Sequence, residues 1–123
     1  YSENETIAVR ILKEVLPQFN YNDRQIKTIA SIVMATSMKN PPQTVLEKIM
    51  CDADLDYLGR EDFHAIATTL KNELNTHGFS YDDRQWNKIQ IKFLEKHVYY
   101  TTSAIAKREI MKQKHLAEIK KIA

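Results

Sequence analysis

The segment Cys51-Asp52-Ala53-Asp54-Leu55-Asp56-Tyr57-Leu58-Gly59 sets carboxylates at alternate positions among Ala, Leu and Tyr. Its apolar residues draw the segment inward, whereas a carboxylate resists burial unless it is paired, hydrogen-bonded or bound to a cation. A calcium loop is one chemistry that clustered acids can serve. It needs Asp or Asn at its first, third and fifth positions, Gly at the sixth and Glu at the twelfth. Counting from Asp52, the first three are present, but Tyr57 takes the sixth place and Phe63 the twelfth. Both the sharp turn and the bidentate ligand are therefore missing. A carboxylate joined by imidazoles is the other chemistry. Such a donor set accepts Mn, Fe, Mg or Zn, so the residue types leave the metal open. Without a metal, Asp54 would be a helix-end carboxylate bonded to nearby backbone N–H groups.

Few other residues offer chemistry. Arg60 could hold a substrate phosphate or pair with Asp56 or Glu61. His97 falls four residues after Phe93 on an apolar face, as a core histidine would. His64 follows Phe63 and points sideways, toward solvent or the Asp segment. Cys51 has no nearby His and reads as a small buried side chain. No Gly-rich phosphate loop and no Ser/His/Asp arrangement is visible, and no catalytic acid, base or nucleophile is assigned.

The elements that must position these residues are helices. Ile7, Ile11, Leu12 and Val15 form one stripe, ended by Pro17, and Ile26, Ile29, Ala30 and Val33 form a second, ended by Asn40-Pro41-Pro42. Val45, Leu46, Ile49 and Met50 predict a short helix that delivers Asp52 and Asp54 at its C-terminal end. Phe63, Ile66, Ala67, Leu70 and Leu74 make the cleanest stripe, stopped at Gly78. Trp86, Ile89, Phe93 and His97 share a fifth face, and Leu116, Ile119 and Ile122 a sixth. Strand-like alternation is absent. The expectation is an all-α bundle of about six helices. One internal echo answers Phe19-Asn20-Tyr21-Asn22-Asp23-Arg24-Gln25-Ile26 with Phe79-Ser80-Tyr81-Asp82-Asp83-Arg84-Gln85-Trp86. A duplication would produce it. So would helix-start chemistry alone, with Asn22 and Asp82 as N-caps and Gln25 and Gln85 closing capping boxes, and the second explanation needs no repeat fold.

Composition bounds the rest. The chain of 123 residues is 43% hydrophobic and 28% charged. That balance suits a single soluble domain, residues 1–123, with one core. Cys51, without a partner, excludes an internal disulfide and fits a reducing compartment. No apolar run approaches the roughly 20 residues of a membrane span. The net charge of +2 hides an asymmetry: residues 101–123 hold six basic against two acidic side chains, a net of +4. That terminal basic helix lacks interleaved aromatics and reads as a solvated face, which argues against a nucleic-acid-binding domain.

Asp52-Ala53-Asp54-Leu55-Asp56-Tyr57-Leu58-Gly59 also resembles the last metal-ligand motif of the HD-domain metal-dependent phosphohydrolase superfamily. Leu16-Pro17, Met34-Ala35-Thr36-Ser37, Pro41-Pro42, Trp86, Gln90-Ile91, Phe93-Leu94 and His97-Val98-Tyr99 are similar to segments around that motif in one branch of the superfamily. The resemblance implies an HD-like helical bundle, with Asp54 as metal ligand and Asp52 as the group behind it that orients the turn. It also implies a divalent Mn, Fe, Mg or Zn ion that activates water toward nucleotides or other phosphate esters. Glu5 loosely matches an acidic residue that many members carry after their His-Asp doublet. No doublet exists here: His64, His77, His97 and His115 all follow the Asp motif, whereas the family's ligand histidines precede it.

The chain opens on Tyr1 rather than Met. The expectation is thus the C-terminal part of an HD-type domain, incomplete and inactive alone, whose ligand histidines lie upstream. The alternative is a non-catalytic ligand- or protein-binding module derived from an HD scaffold. A cytoplasmic setting, a phosphate-ester substrate for the complete domain, no membrane and a homodimer complete the expectations. The dimer would cover apolar surface near Ile29, Val33 and Ile49 that the missing helices leave open.

Overall fold

Residues 3–123 are described by a computed structural model, and among them six α-helices and two short 3₁₀ turns account for the regular structure, with no strand. The helices are α1 (Asn4–Val15), α2 (Asp23–Ala35), α3 (Val45–Asp54), α4 (Phe63–Thr76), α5 (Asp83–Lys96) and α6 (Thr102–Ile122). None is long and apolar enough to cross a membrane.

Local chemistry sets the boundaries. At α2, Asn22 Oδ1 accepts from the Gln25 N–H at 2.9 Å and Gln25 Oε1 accepts from the Asn22 N–H at 2.9 Å. Asp82 and Gln85 repeat the reciprocal pair at α5, at 2.7 and 3.0 Å. A third box, which the sequence reading did not single out, opens α3: Thr44 Oγ1 and Glu47 Oε2 take each other's backbone N–H at 3.2 and 3.1 Å. Each box satisfies two of the donors that a helix start leaves orphaned. Stops are equally explicit. Pro17 turns α1 into a 3₁₀ turn, Leu16–Phe19, that ends on Asn20 in the left-handed region (φ 66°). Gly78 supplies φ 97° just past α4, as helix ends favour.

The chain divides into two compact units, Tyr1–Asp54 and Leu55–Ala123. In the first, α1 packs on α2 and α2 on α3. In the second, a 3₁₀ turn, Asp56–Gly59, lies against α6 and α4, and α5 packs on α6. Leu58, Phe63, Ala67, Leu94, Tyr99, Leu116 and Ile119 form the core of this second unit. Gly59 permits the turn to lie close against Arg108 of α6. A Cβ there would fall 2.7 Å from Cβ of Arg108 and 2.8 Å from its carbonyl carbon. Both distances are well inside contact, so only a residue without a side chain fits.

The basic terminal helix departs from expectation. It runs from Thr102, fourteen residues before its apolar stripe begins at Leu116. Thr101 Oγ1 caps it by accepting from the Ala104 N–H at 3.2 Å, which fixes the start. It is also not a uniformly solvated face. Lys112 is 1% exposed. Its ammonium donates to the His97 carbonyl at 2.9 Å, pairs with Glu109 at 3.0 Å and lies 5.2 Å from the Tyr99 ring centroid. Those partners offset the desolvation that a buried charge incurs. Lys107, Lys114, Lys120 and Lys121 do face solvent.

Candidate functional site

Asp52 and Asp54 are in the last turn of α3, and they differ sharply in surroundings. Asp52 is 5% exposed and engaged rather than free. Asp54 reaches solvent and makes no hydrogen bond or ion pair among the described residues. Side chains two apart on a helix point to different sides, so one carboxylate turns in while the next turns out. Both stand at the negative end of the α3 dipole, a placement that helix stability alone does not favour. Partial desolvation and, secondarily, the Glu5 carboxylate push the pKa of Asp54 up from the ordinary aspartate value. Glu5 sits half-buried in the first turn of α1, so its link to Asp54 is a like-charge one.

The neighbouring thiol adds no ligand. Cys51 Sγ donates to the Ala35 carbonyl at 3.3 Å. Burial, reinforced by Asp52, pushes its pKa up and keeps it protonated. All four histidines belong to the second unit. Among the described residues, no group of three metal-capable side chains includes Asp54. The ion that the HD resemblance implies therefore does not fit the residues present: one exposed carboxylate beside a like charge does not hold a transition metal.

Arg60 belongs to the second unit and is occupied by carboxylates. Its Nη2 meets Asp62 Oδ2 at 2.9 Å and its Nη1 lies 4.0 Å from Asp56 Oδ2, while Arg108 Nε holds the other Asp56 oxygen at 2.7 Å. Asp62, rather than Glu61, is the closer partner. An open cleft of about 600 Å³ beside this network is lined by Arg60, Asp62, Lys107 and Arg108. Its guanidinium groups are already paired to carboxylates, so a phosphate would have to compete for them.

His97 ends α5 as a buried side chain, with Nδ1 3.3 Å from the Lys112 ammonium and its ring edge-on to Tyr99 at 4.5 Å. It is built into the core. His64 is exposed, and its Nε2 lies 2.8 Å from Glu118 Oε2. His64, His115 and Glu118 are the one trio of metal-capable side chains that the described residues bring together. Sequence reasoning passed over it because His64 is more than fifty positions away. The His115-x-x-Glu118 spacing, which puts both on one helix face, was the available signal.

Compared with known proteins, the chain matches no protein-family model, no curated protein and no solved structure.

Proposed function

We propose that this chain is the carboxylate-bearing part of an HD-type, metal-dependent phosphohydrolase acting on nucleotides or other phosphate esters, and that it is inactive by itself. Asp54 is the observation that carries the proposal. It is a solvent-reaching carboxylate at the negative end of a helix, with its proton affinity raised and no basic side chain paired with it among the described residues. Asp52, buried behind it, suits the supporting role. The substrate class comes from the resemblance of the Asp motif, and the imidazole ligands would come from outside the chain. A cytoplasmic setting accords with a free cysteine.

A non-catalytic ligand- or protein-binding module on the same scaffold is the alternative. The broad apolar surface that the first unit presents, including Ile11, Phe19, Val45 and Ile49, favours it. In either case a second copy of the chain would cover that surface as a homodimer. Light scattering after size exclusion should then report twice the chain mass. A monomer at high concentration that binds no hydrophobic dye excludes the dimer.

The decisive experiment uses the natural gene product with Mn²⁺ and a panel of phosphate esters. Metal-stimulated turnover abolished by Asp54→Ala is the expected result. No turnover, or turnover that survives the substitution, overturns the enzyme and leaves the binding module.

A further inference from the structure

His115 lies on α6 at 4% exposure, yet its Nδ1 is buried without a hydrogen-bond partner. Such an orphaned buried nitrogen is rare and asks for an explanation. The other ring nitrogen, Nε2, sits 2.8 Å from the Arg60 carbonyl oxygen. A carbonyl can only accept, so in the neutral ring the proton resides on Nε2 and the lone pair on Nδ1. That is the arrangement found in metal-ligating histidines, where a backbone carbonyl or carboxylate fixes the tautomer from behind. Phe63 stacks on the imidazole at 4.8 Å between centroids and holds its plane.

The Nδ1 lone pair is not alone. Glu118 Oε2 lies 3.6 Å from it, one helical turn further along α6. The same oxygen is 2.8 Å from Nε2 of His64, in the first turn of α4. One donor atom from each of the three side chains falls within 4.8 Å of the other two. In a tetrahedral zinc site with bonds of about 2.0–2.2 Å, donor atoms stand roughly 3.4 Å apart. Small side-chain rotations would bring the trio to that spacing.

From this geometry we propose that His64, His115 and Glu118 bind a zinc ion that ties the start of α4 to the last turns of α6. Two imidazoles and one carboxylate are a borderline donor set that suits zinc better than magnesium or calcium. Three protein ligands leave a fourth position for water, which the half-exposed His64 side admits. Leu116 and Ile119, each directly following a ligand on α6, anchor that helix in the core, so His115 and Glu118 are carried on a rigid element. This site is separate from Asp54 and does not depend on the function proposed for it.

Titration of the purified, metal-free chain with zinc chloride against a chromophoric chelator tests the proposal. One zinc per chain is expected, with affinity lowered at least about tenfold by His64→Ala and by Glu118→Gln. Both positions are surface-accessible, so these variants should fold even if His115→Ala does not. Lys114→Ala, at a solvent-facing position of the same helix, should leave the affinity unchanged. Nitrogen-15 NMR of the wild-type chain should show zinc shifting His115 Nδ1 while Nε2 keeps its proton. Absence of stoichiometric binding, binding indifferent to both variants, or equal loss of binding in Lys114→Ala would overturn the site. An unmoved Nδ1 resonance would do the same and leave only the contact between His115 and Glu118.

Discussion

The first unit, α1 to α3, and the second, Leu55–Ala123, are made of similar amphipathic helices that meet different fates. In the second, Leu58 and Leu94 are each 1% exposed and Phe63 2%. In the first, Ile26 is the one described helix side chain of aliphatic or aromatic type that is buried, while Ile11 is 52% exposed and Val45 69%. Capping does not separate them, since α2, α3 and α5 all begin with a capping box. What differs is the number of surfaces that meet. In the second unit a 3₁₀ turn and two helices converge on α6 or on one another, and Gly59 lets the turn approach the α6 backbone. The first unit is a chain of pairwise contacts, α1 on α2 and α2 on α3. A helix touched on one side leaves the rest of its stripe in water. Helix formation and core formation are thus separate achievements, and only the second unit has both.

The sharpest way to break this contrast is to truncate one side chain in each unit. Phe63→Ala should lower stability by about 3–5 kcal/mol, because it opens a cavity under α4. Ile11→Ala should change it by less than about 0.5 kcal/mol at concentrations low enough to keep the chain monomeric, as surface substitutions do. Urea denaturation of both variants decides the matter; equal losses would mean that the first unit's apolar face is covered in solution. Gly59→Ala should follow in size. Overpacking the turn against Arg108 should lower stability by about 1–3 kcal/mol, measured in the same way.

Next come the paired carboxylates of α3. Asp52→Ala removes a buried acceptor and should cost about 1–3 kcal/mol, seen as a drop of several degrees in Tm. Asp54→Ala should be neutral or stabilising near pH 7, since it removes a carboxylate that lacks a cation. The sign with pH follows from the raised pKa of Asp54. The folded state holds that proton more tightly than the unfolded state, so its contribution to stability falls as pH rises from the unfolded aspartate value through the folded one. Asp54→Asn should flatten that slope in pH-dependent melting. Equal destabilisation at both positions would dissolve the distinction between them, and the reversed order would make Asp52 the better ligand candidate.

A loss of the same order or smaller belongs to Tyr99, whose hydroxyl donates to the Leu55 carbonyl at 2.9 Å. Tyr99→Phe should cost about 1 kcal/mol by stripping that carbonyl of its donor. Burial, helped by Asp56, raises the pKa of the phenol well above its ordinary value. The neutral form is therefore favoured in the folded state. Its contribution is complete below the unfolded tyrosine pKa of about 10 and is lost as pH rises beyond it. Alkaline melting curves should be steeper for the wild type than for Tyr99→Phe, and parallel curves would refute the coupling.

Helix positions were legible from the sequence because they rest on local rules. Asn22 with Gln25, Asp82 with Gln85, Pro17 and Gly78 act within a few residues of themselves, and α3 ends at Asp54 where its stripe runs out. Periodicity also placed Asp52 and Asp54 at a helix end on different faces. It could not say which would be buried, since that depends on what packs beside α3. Nor could it foresee Lys112 in the core, because a lysine in a basic tail looks solvated until Glu109, the His97 carbonyl and the Tyr99 ring gather around it. The division into two units and the meeting of His64 with His115 and Glu118 were likewise beyond it. The sequence by itself determined where backbone hydrogen bonds begin and end, an energy settled among near neighbours. Tertiary structure alone decided which faces are dry, which charges find partners and which ligating atoms converge, because desolvation and ion pairing depend on groups that the chain brings from far away.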